Sequence, residues 1–329
     1  MILSVRDLRI RFGHAAAAPF AVDGLDFDVS AGEIFVIIGE SGSGKSLTGL
    51  SVLGLLPQGA VASGSIRFDG QELLNQPEAV LRPLRGGRIG VVYQDPLSAM
   101  NPVWPVGEQI AEVLRAHGLA GRREAARRSV ELLERVHIPD APRIALAYPH
   151  EISGGMRQRA MIAMALACGP RMLIADEPTT ALDVTIKAQI LELLSELRRE
   201  LALTVVLITH DMGVVAELAD RILMMYAGKV AELGPAAQIM NRPSHPYTQA
   251  LLFSATMSEA PAKADLPAIR GTAPPIEAWP AGCRFHPRCP QAAADCREAA
   301  PNLRRLGDAL LACHYPLLNG DAARPGCAP

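Results

Sequence analysis

Gly39-Glu40-Ser41-Gly42-Ser43-Gly44-Lys45-Ser46 follows the spacing Gly, four residues, Gly-Lys-Ser. That spacing suits a loop that cradles phosphate. Its three glycines let the backbone turn tightly and approach a polyphosphate with no Cβ in the way. The loop N–H groups then converge on phosphate oxygens as a nest. Lys45 adds a mobile point charge for the outer phosphates. The Ser46 hydroxyl is a hard oxygen ligand suited to Mg²⁺. The flanks carry more weight than the pattern. Ile34-Phe35-Val36-Ile37-Ile38 just before it is a continuous apolar run, the mark of a strand buried on both faces. Residues 46–56 just after it read as a helix stopped by Pro57. Strand, glycine loop and helix together aim a helix N-terminus at an anion.

The same alternation of apolar strands and helices continues downstream. Residues 172–175 form an apolar run ending at Asp176-Glu177, and residues 204–209 form another ending at His210-Asp211. Helices are expected over residues 156–168 and 185–200, the first opened by Ser153-Gly154-Gly155 and closed by Gly169-Pro170. This pattern argues for a parallel α/β sheet. Upstream, residues 3–12, 22–29 and 64–70 alternate in part, with Asp69-Gly70 as a turn, and predict an antiparallel layer beside that sheet. A short strand over residues 88–93 leads to Gln94, and residues 221–232 read as a closing hairpin.

Between Gln94 and about Glu151 the chain reads as mainly helical. Ile110, Val113 and Leu114 line one face of a first helix; Val130, Leu133 and Val136 line a second. Arg122, Arg123, Arg127 and Arg128 on the second helix suit either a nucleic-acid patch or a solvated face. The interspersed Glu124, Glu131 and Glu134 favour the solvated face. Ala15-Ala16-Ala17-Ala18 reads as a loop.

Bulk properties narrow the classes further. A chain of 329 residues exceeds one typical domain. A net charge of −2 supplies no global field toward DNA or acidic lipid. The N-terminal residues lack the apolar core of a signal peptide. The longest apolar stretch, residues 160–168, falls well short of the roughly 20 residues a spanning helix needs. The expectation is a chain that reaches a membrane only through a partner. Thirteen of the 26 prolines and five of the six cysteines lie after residue 240, which sets off a second region with little regular structure. With no export signal, disulfides are not expected.

Carboxylates at the C-terminal end of a parallel strand lie at the crevice where such sheets bind ligands. Asp176 there suits a Mg²⁺ ligand, and Glu177 is placed to orient or deprotonate an attacking water. A pair that merely caps the next helix is the bland reading. His210 ends the neighbouring strand at the same edge. Gln94 follows a strand there too and offers an amide oxygen to Mg²⁺ or water. Ser153-Gly154-Gly155 is a second anion-seeking helix start. Since the first loop already serves one phosphate, the second makes most sense facing a nucleotide on another subunit.

These marks closely resemble the ATP-binding subunits of ABC transporters, in the oligopeptide/dipeptide (peptide/nickel) importer branch. The resemblance rests on the phosphate loop, Gln94, Ile152-Ser153-Gly154-Gly155-Met156-Arg157-Gln158-Arg159, residues 172–177, Ala181-Leu182-Asp183 and His210. Ile152 stands where the family usually has Leu. The branch is carried by residues 176–185, by His245-Pro246-Tyr247-Thr248 and by the cysteine-bearing tail. The resemblance implies a P-loop NTPase of ABC type with an antiparallel β layer and a helical subdomain over about 95–155. It implies an ATPase domain over 1–240 and a Cys-rich, Pro-rich C-terminal region over 241–329. Nucleotide would bind residues Gly39, Glu40, Ser41, Gly42, Ser43, Gly44, Lys45 and Ser46, with Phe12 stacking on adenine. Ser46, Gln94 and Asp176 would serve Mg²⁺. Glu177 would be the base for water, His210 would support the γ-phosphate, and Gln94 would complete the catalytic set. Ser153, Gly154, Gly155 and Gln158 would meet the ATP of a partner subunit, beside Asp183. The implied partners are a second ATPase subunit, a paralogue or a second copy, two transmembrane permeases and an extracytoplasmic solute-binding protein. The implied location is the cytoplasmic face of the bacterial inner membrane.

Three other readings fit less well. An ABC-type ATPase acting on nucleic acid or ribosomes usually has tandem ATPase halves or a long coiled coil, and this chain has one glycine loop and no sustained heptads. A small-molecule kinase needs neither Ser153-Gly154-Gly155 nor Asp183. A regulatory ATP-binding module would have a replaced base, and Glu177 is present.

Cys283, Cys289, Cys296 and Cys313 are spaced C-x5-C-x6-C-x16-C. Neither half is a standard zinc knuckle, and the run is not the usual ferredoxin one either. By spacing alone these are four soft ligands in a module too small to bury much core, which a metal would staple. His286 and His314 are further donors for zinc, and unliganded thiols remain a reading. The family resemblance implies a [4Fe–4S] cluster on these cysteines in a structural role, with Cys327 free.

Overall fold

A computed structural model of the chain describes residues 1–13, 18–180, 182–256, 269 and 271–317. Most of the Ala15–Ala18 tract, Ala181 and Cys327 lie outside the described residues. Strand β1 (Leu3–Phe12) pairs antiparallel with β2 (Phe20–Val29), and on its other side with β4 (Ala60–Phe68). Between those pairs in sequence come β3 (Ile34–Ile38), the phosphate loop and helix α1 (Lys45–Val52). The helix stops before Pro57. Gly54 takes φ 63°, donates to Ser51 O at 3.2 Å, and Leu55 N–H reaches back to Leu50 O at 3.0 Å. This is the six-to-one, five-to-two closure that a left-handed residue allows, so glycine and not proline ends the helix. After β4, Asp69 and Gly70 both take positive φ and turn the chain into β5 (Gln71–Glu72). That is the primed turn expected of Asp-Gly in a hairpin.

A short α2 (Glu78–Leu81) leads to β6 (Ile89–Val92). A helical region follows: α3 (Pro96–Ala99), α4 (Val106–Ala116), α5 (Arg122–Arg135) and α6 (Ala141–Leu146). Ile110, Leu114, Leu133 and Val136 are fully buried there, as their spacing requires. Arg127 instead lies in solvent between Glu124 and Glu131, so this face is a solvated one. The chain then returns through α7 (Gly154–Leu166), β7 (Met172–Asp176), α8 (Val184–Leu201), β8 (Thr204–Thr209), α9 (Met212–Leu218), β9 (Arg221–Tyr226) and β10 (Lys229–Pro235).

The main sheet runs β6-β7-β8-β3-β9 in parallel, then β10, a strand β12 (Ala309–Leu311) and β11 (Arg304–Leu306), antiparallel. The four-stranded antiparallel sheet lies against one face, and Phe27 of β2 stacks on Phe35 of β3 with ring centroids 5.3 Å apart. Helices α4 to α9 cover the other face, while α1 packs on the first face, where Val52 and Leu53 join the core of Phe35 and Ile37. Each fully buried Leu, Ile, Val or Phe contributes roughly 1.5–3 kcal/mol. A surface pair such as Arg6 with Asp28, at 2.7 Å and half in water, contributes about 1 kcal/mol or less. Packing of the two apolar faces therefore fixes the architecture.

The described residues after 235 hold more regular structure than their composition suggests. Helices α10 (Ala236–Asn241) and α11 (Pro246–Thr256) come first, and the described residues from 271 on form turns and short helical segments, among them α12 (Asp295–Glu298). The chain then adds β11 and β12 to the free edge of β10. The cysteine-rich region thus shares the sheet that carries the phosphate loop.

Candidate nucleotide site

The phosphate loop lies between the end of β3 and the start of α1, at the C-terminal edge of the parallel strands. Close approach forces glycine at position 39: a Cβ there would come 2.1 Å from Met225 O. Lys45 is buried and donates from Nζ to Gly39 O at 2.7 Å and Glu40 O at 3.0 Å. Burial lowers its pKa, against the pull of Glu177, Asp176 and Glu40. Ser46 Oγ donates to Asp176 Oδ1 at 3.1 Å, which joins the loop to the end of β7. Burial raises the Asp176 pKa, with the Ser46 bond opposing it.

Glu177 has φ 48°, uncommon for a residue with a side chain, and its N–H is held by Ile208 O at 2.8 Å. Three side chains converge on its carboxylate. Gln94 Nε2 donates to Oε2 at 3.1 Å, Thr180 Oγ1 donates to Oε2 at 2.9 Å, and His210 Nδ1 lies 3.0 Å from Oε1. Burial pushes this carboxyl up, but the bonds with His210 and Thr180 outweigh it and leave the pKa below the usual glutamate value. Glu177 therefore stays ionised at neutral pH, the form a base needs. No pattern in the chain singles out Thr180 as a partner of this carboxylate.

The loop, Gln94, Glu177 and His210 line one open cleft of about 650 Å³, with Ala21 and Leu251. Gly154 and Gln158 do not join them. They line a neighbouring cleft of about 360 Å³ with Arg157, Thr180 and Leu182, and Gln94 borders both. Ser153 caps α7 by accepting from Met156 N–H at 3.3 Å, and Asp183 caps α8 by accepting from Ile186 N–H at 2.9 Å. Phe12 ends β1 outside the cleft's lining, 45% exposed.

The comparisons with known proteins agree with this geometry. The ABC transporter family profile matches residues 22–180, and that of the oligopeptide/dipeptide transporter C-terminal region matches residues 231–296. The dipeptide transport ATP-binding protein DppD of Haemophilus influenzae is 45% identical over 317 residues, 96% of each chain. The chain belongs to the ATP-binding proteins of ABC transporters. The oligopeptide transport ATP-binding protein OppD of Escherichia coli is 46% identical over 96% of this chain and 94% of its own. Among solved structures, the ATP-binding cassette MJ0796, a dimer bound to ADP and Pi after hydrolysis, superposes with a TM-score of 0.63 at 28% identity. It covers 71% of this chain and 99% of its own. As a member of this ABC family the chain is an ATPase, and hydrolysis in the family drives transport. No helix among the described residues is long and apolar enough to cross a membrane.

The four cysteines line a third, smaller pocket, together with His245, His286 and His314. Burial raises the Cys283 pKa, pushes Cys289 up to about 11 and Cys313 to about 12, and each charge would be felt by the neighbouring cysteines. Among the described residues no three His, Cys, Asp or Glu side chains stand close enough to hold one metal ion.

Proposed function

We propose that the chain is one of two ATPase subunits of an importer of dipeptides or oligopeptides. ATP is enclosed between the phosphate loop of one subunit and Ser153, Gly154, Gly155 and Gln158 of the other. The separation of the two clefts supports this most directly: Gly154 and Gln158 lie apart from the cleft of Lys45 and Glu177 within a single chain. The names of the dipeptide and oligopeptide transport relatives support the solute class. Two permease subunits and a solute-binding protein complete the assembly, at the inner face of the bacterial plasma membrane. The chain divides in function near residue 240, the ATPase before it and the cysteine-rich region after it.

In this reading Lys45 and the loop amides hold the outer phosphates. Ser46 and Asp176, two hard oxygen donors already bonded to each other, would hold Mg²⁺ with Gln94, and the ion would neutralise charge on the β- and γ-oxygens. A carboxylate oxygen of Glu177 takes the proton of the water whose oxygen attacks the γ-phosphorus as the bridge to the β-phosphate breaks. His210 and Thr180 keep that carboxylate ionised and aimed. Asp183 stands at the start of α8 beside the partner's site, and Phe12 offers its face to adenine.

Cys283, Cys289, Cys296 and Cys313 line one pocket and would hold a [4Fe–4S] cluster. Four thiolates are the donor set such a cluster takes. When bound, the cluster would staple a region with little core.

Glu177→Gln in the complex with its permeases is expected to keep ATP binding and lower turnover about a thousandfold, the scale of a lost general base. Near-normal turnover would remove Glu177 from the role. Stimulation of turnover by RNA, and none by a peptide-loaded binding protein, would overturn the import reading. Protein purified without air should carry about four irons and four sulfides per chain; one zinc per chain would overturn the cluster.

A further inference from the structure

Glu40 is an odd residue to find in an anion-binding loop. Its carboxylate stands one residue from Gly39, where a polyphosphate is to bind, and a bare negative charge there repels the ligand. The structure shows what offsets it. Arg288, from the cysteine-rich region 248 positions away, grips the carboxylate with both arms, Nη1 to Oε2 at 2.6 Å and Nη2 to Oε1 at 3.0 Å. The arginine side chain is only 7% exposed. It is held by Tyr226 Oη at 3.3 Å and Gly271 O at 3.3 Å. A two-armed, largely buried pair of this kind fixes geometry as well as charge.

The backbone of Glu40 is held from the same side. Its N–H donates to Tyr247 Oη at 2.9 Å. Tyr247 is fully buried, with its ring against Tyr226 at 4.8 Å and Phe285 at 5.4 Å, so the hydroxyl has one aim. The start of α11, which carries it, is anchored by buried Glu232, which accepts from Ser244 N–H at 2.9 Å and His245 N–H at 3.1 Å. With Lys45 on its carbonyl, every polar group of Glu40 has a named partner.

We propose that Arg288 and Tyr247 are positioning residues for ATP: the C-terminal region neutralises Glu40 and fixes the phosphate loop in its binding shape. The proposal rests on the reading of that loop as the ATP site. Pre-ordering the loop removes an ordering cost from binding, and cancelling the Glu40 charge removes a repulsion that grows with the charge of the nucleotide. Arg288 lies next to Cys289 in the chain, so the fold of the cysteine module sets where the guanidinium stands.

The test is equilibrium binding of Mg·ATP and Mg·ADP to the full-length chain at fixed salt. Arg288→Ala is expected to weaken ATP about tenfold, within the usual range for coupled sites, and ADP by less. Adding Glu40→Gln to Arg288→Ala should restore most of the lost affinity, because the uncancelled charge is then gone. A purely structural arginine gives no such rescue. An unchanged affinity in Arg288→Ala, or a loss that Glu40→Gln leaves in place, overturns the proposal. Should Arg288→Ala fail to fold, Tyr247→Phe serves instead. It frees only the Glu40 N–H and should weaken ATP about threefold, a modest coupling; wild-type affinity overturns the proposal. Lys45→Ala is measured alongside. If it binds ATP normally, the reading of the loop fails, whatever Arg288 does.

Discussion

Around the phosphate loop, position follows from the backbone. β3, β7 and β8 are buried on both faces, their C-terminal ends define one edge, and Ser46, Asp176, Glu177 and His210 emerge there together. Around the four cysteines, position follows from side chains. The region borrows a sheet edge from β10 and is pinned by Arg284 to Asp23, Arg288 to Glu40 and Tyr247 to the Glu40 amide. Backbone-built sites tolerate changes in surrounding chemistry, whereas ion pairs and buried polar groups respond to pH and to single substitutions. The two regions should therefore fail under different conditions, and each expectation below probes that difference.

The largest effect is expected from acid. His245 is fully buried beside Phe285 and accepts from Tyr247 N–H through Nδ1 at 3.0 Å, so it must be neutral at that nitrogen. Burial pushes its pKa from 6.5 down to about 4. The unfolded chain takes the proton at the higher value and the folded chain at the lower. Stability contributed by neutral His245 is therefore complete above pH 6.5 and falls as pH drops toward 4. The loss is about 3 kcal/mol at most, at 1.36 kcal/mol per pKa unit. Glu232, whose pKa burial raises, works in the opposite direction, losing its contribution as pH rises. It is common to wild type and His245→Asn, so the difference between them isolates the histidine. Urea titrations from pH 7 to 4 should show a steeper decline for wild type. Parallel curves would mean that His245 is not buried neutral.

A smaller effect is expected from Arg284→Ala. Arg284 pairs with Asp23 at 2.6 Å, and its guanidinium lies 3.8 Å from the Trp279 ring centroid. Loss of a buried pair costs about 3–5 kcal/mol, but Asp23 keeps Lys229 at 2.9 Å, so about 2 kcal/mol is expected. Trp279 reports the C-terminal region and Trp104 the helical one. In the variant Trp279 emission should change at lower urea than the far-ultraviolet signal of the sheet. A single shared transition would show that the two regions are one cooperative unit, and the contrast drawn above would not hold.

How much of this was legible in the chain divides along the same line. The strands before Ser46, Asp176 and His210 could be read because continuous apolar runs have no other stable placement, and the loop glycines follow from steric need. The sequence predicts that α1 runs to Pro57, but Gly54 closes the helix first, through backbone bonds that any glycine could make. Composition alone predicts little regular structure in the cysteine region. Its two short strands form only because β10 offers an open edge, and nothing in residues 304–311 announces that partner. Arg288 with Glu40, and Arg284 with Asp23, lie far apart in sequence and leave no periodic trace. The sequence showed the four cysteines but not the arginines beside two of them as contacts to the phosphate loop.

The smallest effect concerns Phe12. The β1–β2 register places Arg11 opposite Phe20, so Phe12 stands at the same end of that hairpin as Ala21, which lines the cleft of the phosphate loop. A half-exposed aromatic at a strand end is either an idle surface residue or a stacking platform. A ring stacked on a base contributes about 1 kcal/mol beyond its buried area. Phe12→Ala should then weaken ATP about fivefold, at 1.4 kcal/mol per tenfold, with little change in unfolding midpoint, while Phe12→Tyr should bind as wild type. The loss should be equal for ATP and ADP, since the adenine is common to both. Arg288→Ala should instead penalise ATP more than ADP. Equal losses in one variant and unequal losses in the other would separate a contact made to the base from one made through the phosphate loop. If Phe12→Ala binds as wild type, the aromatic is a surface residue, and adenine is held by other side chains around the cleft.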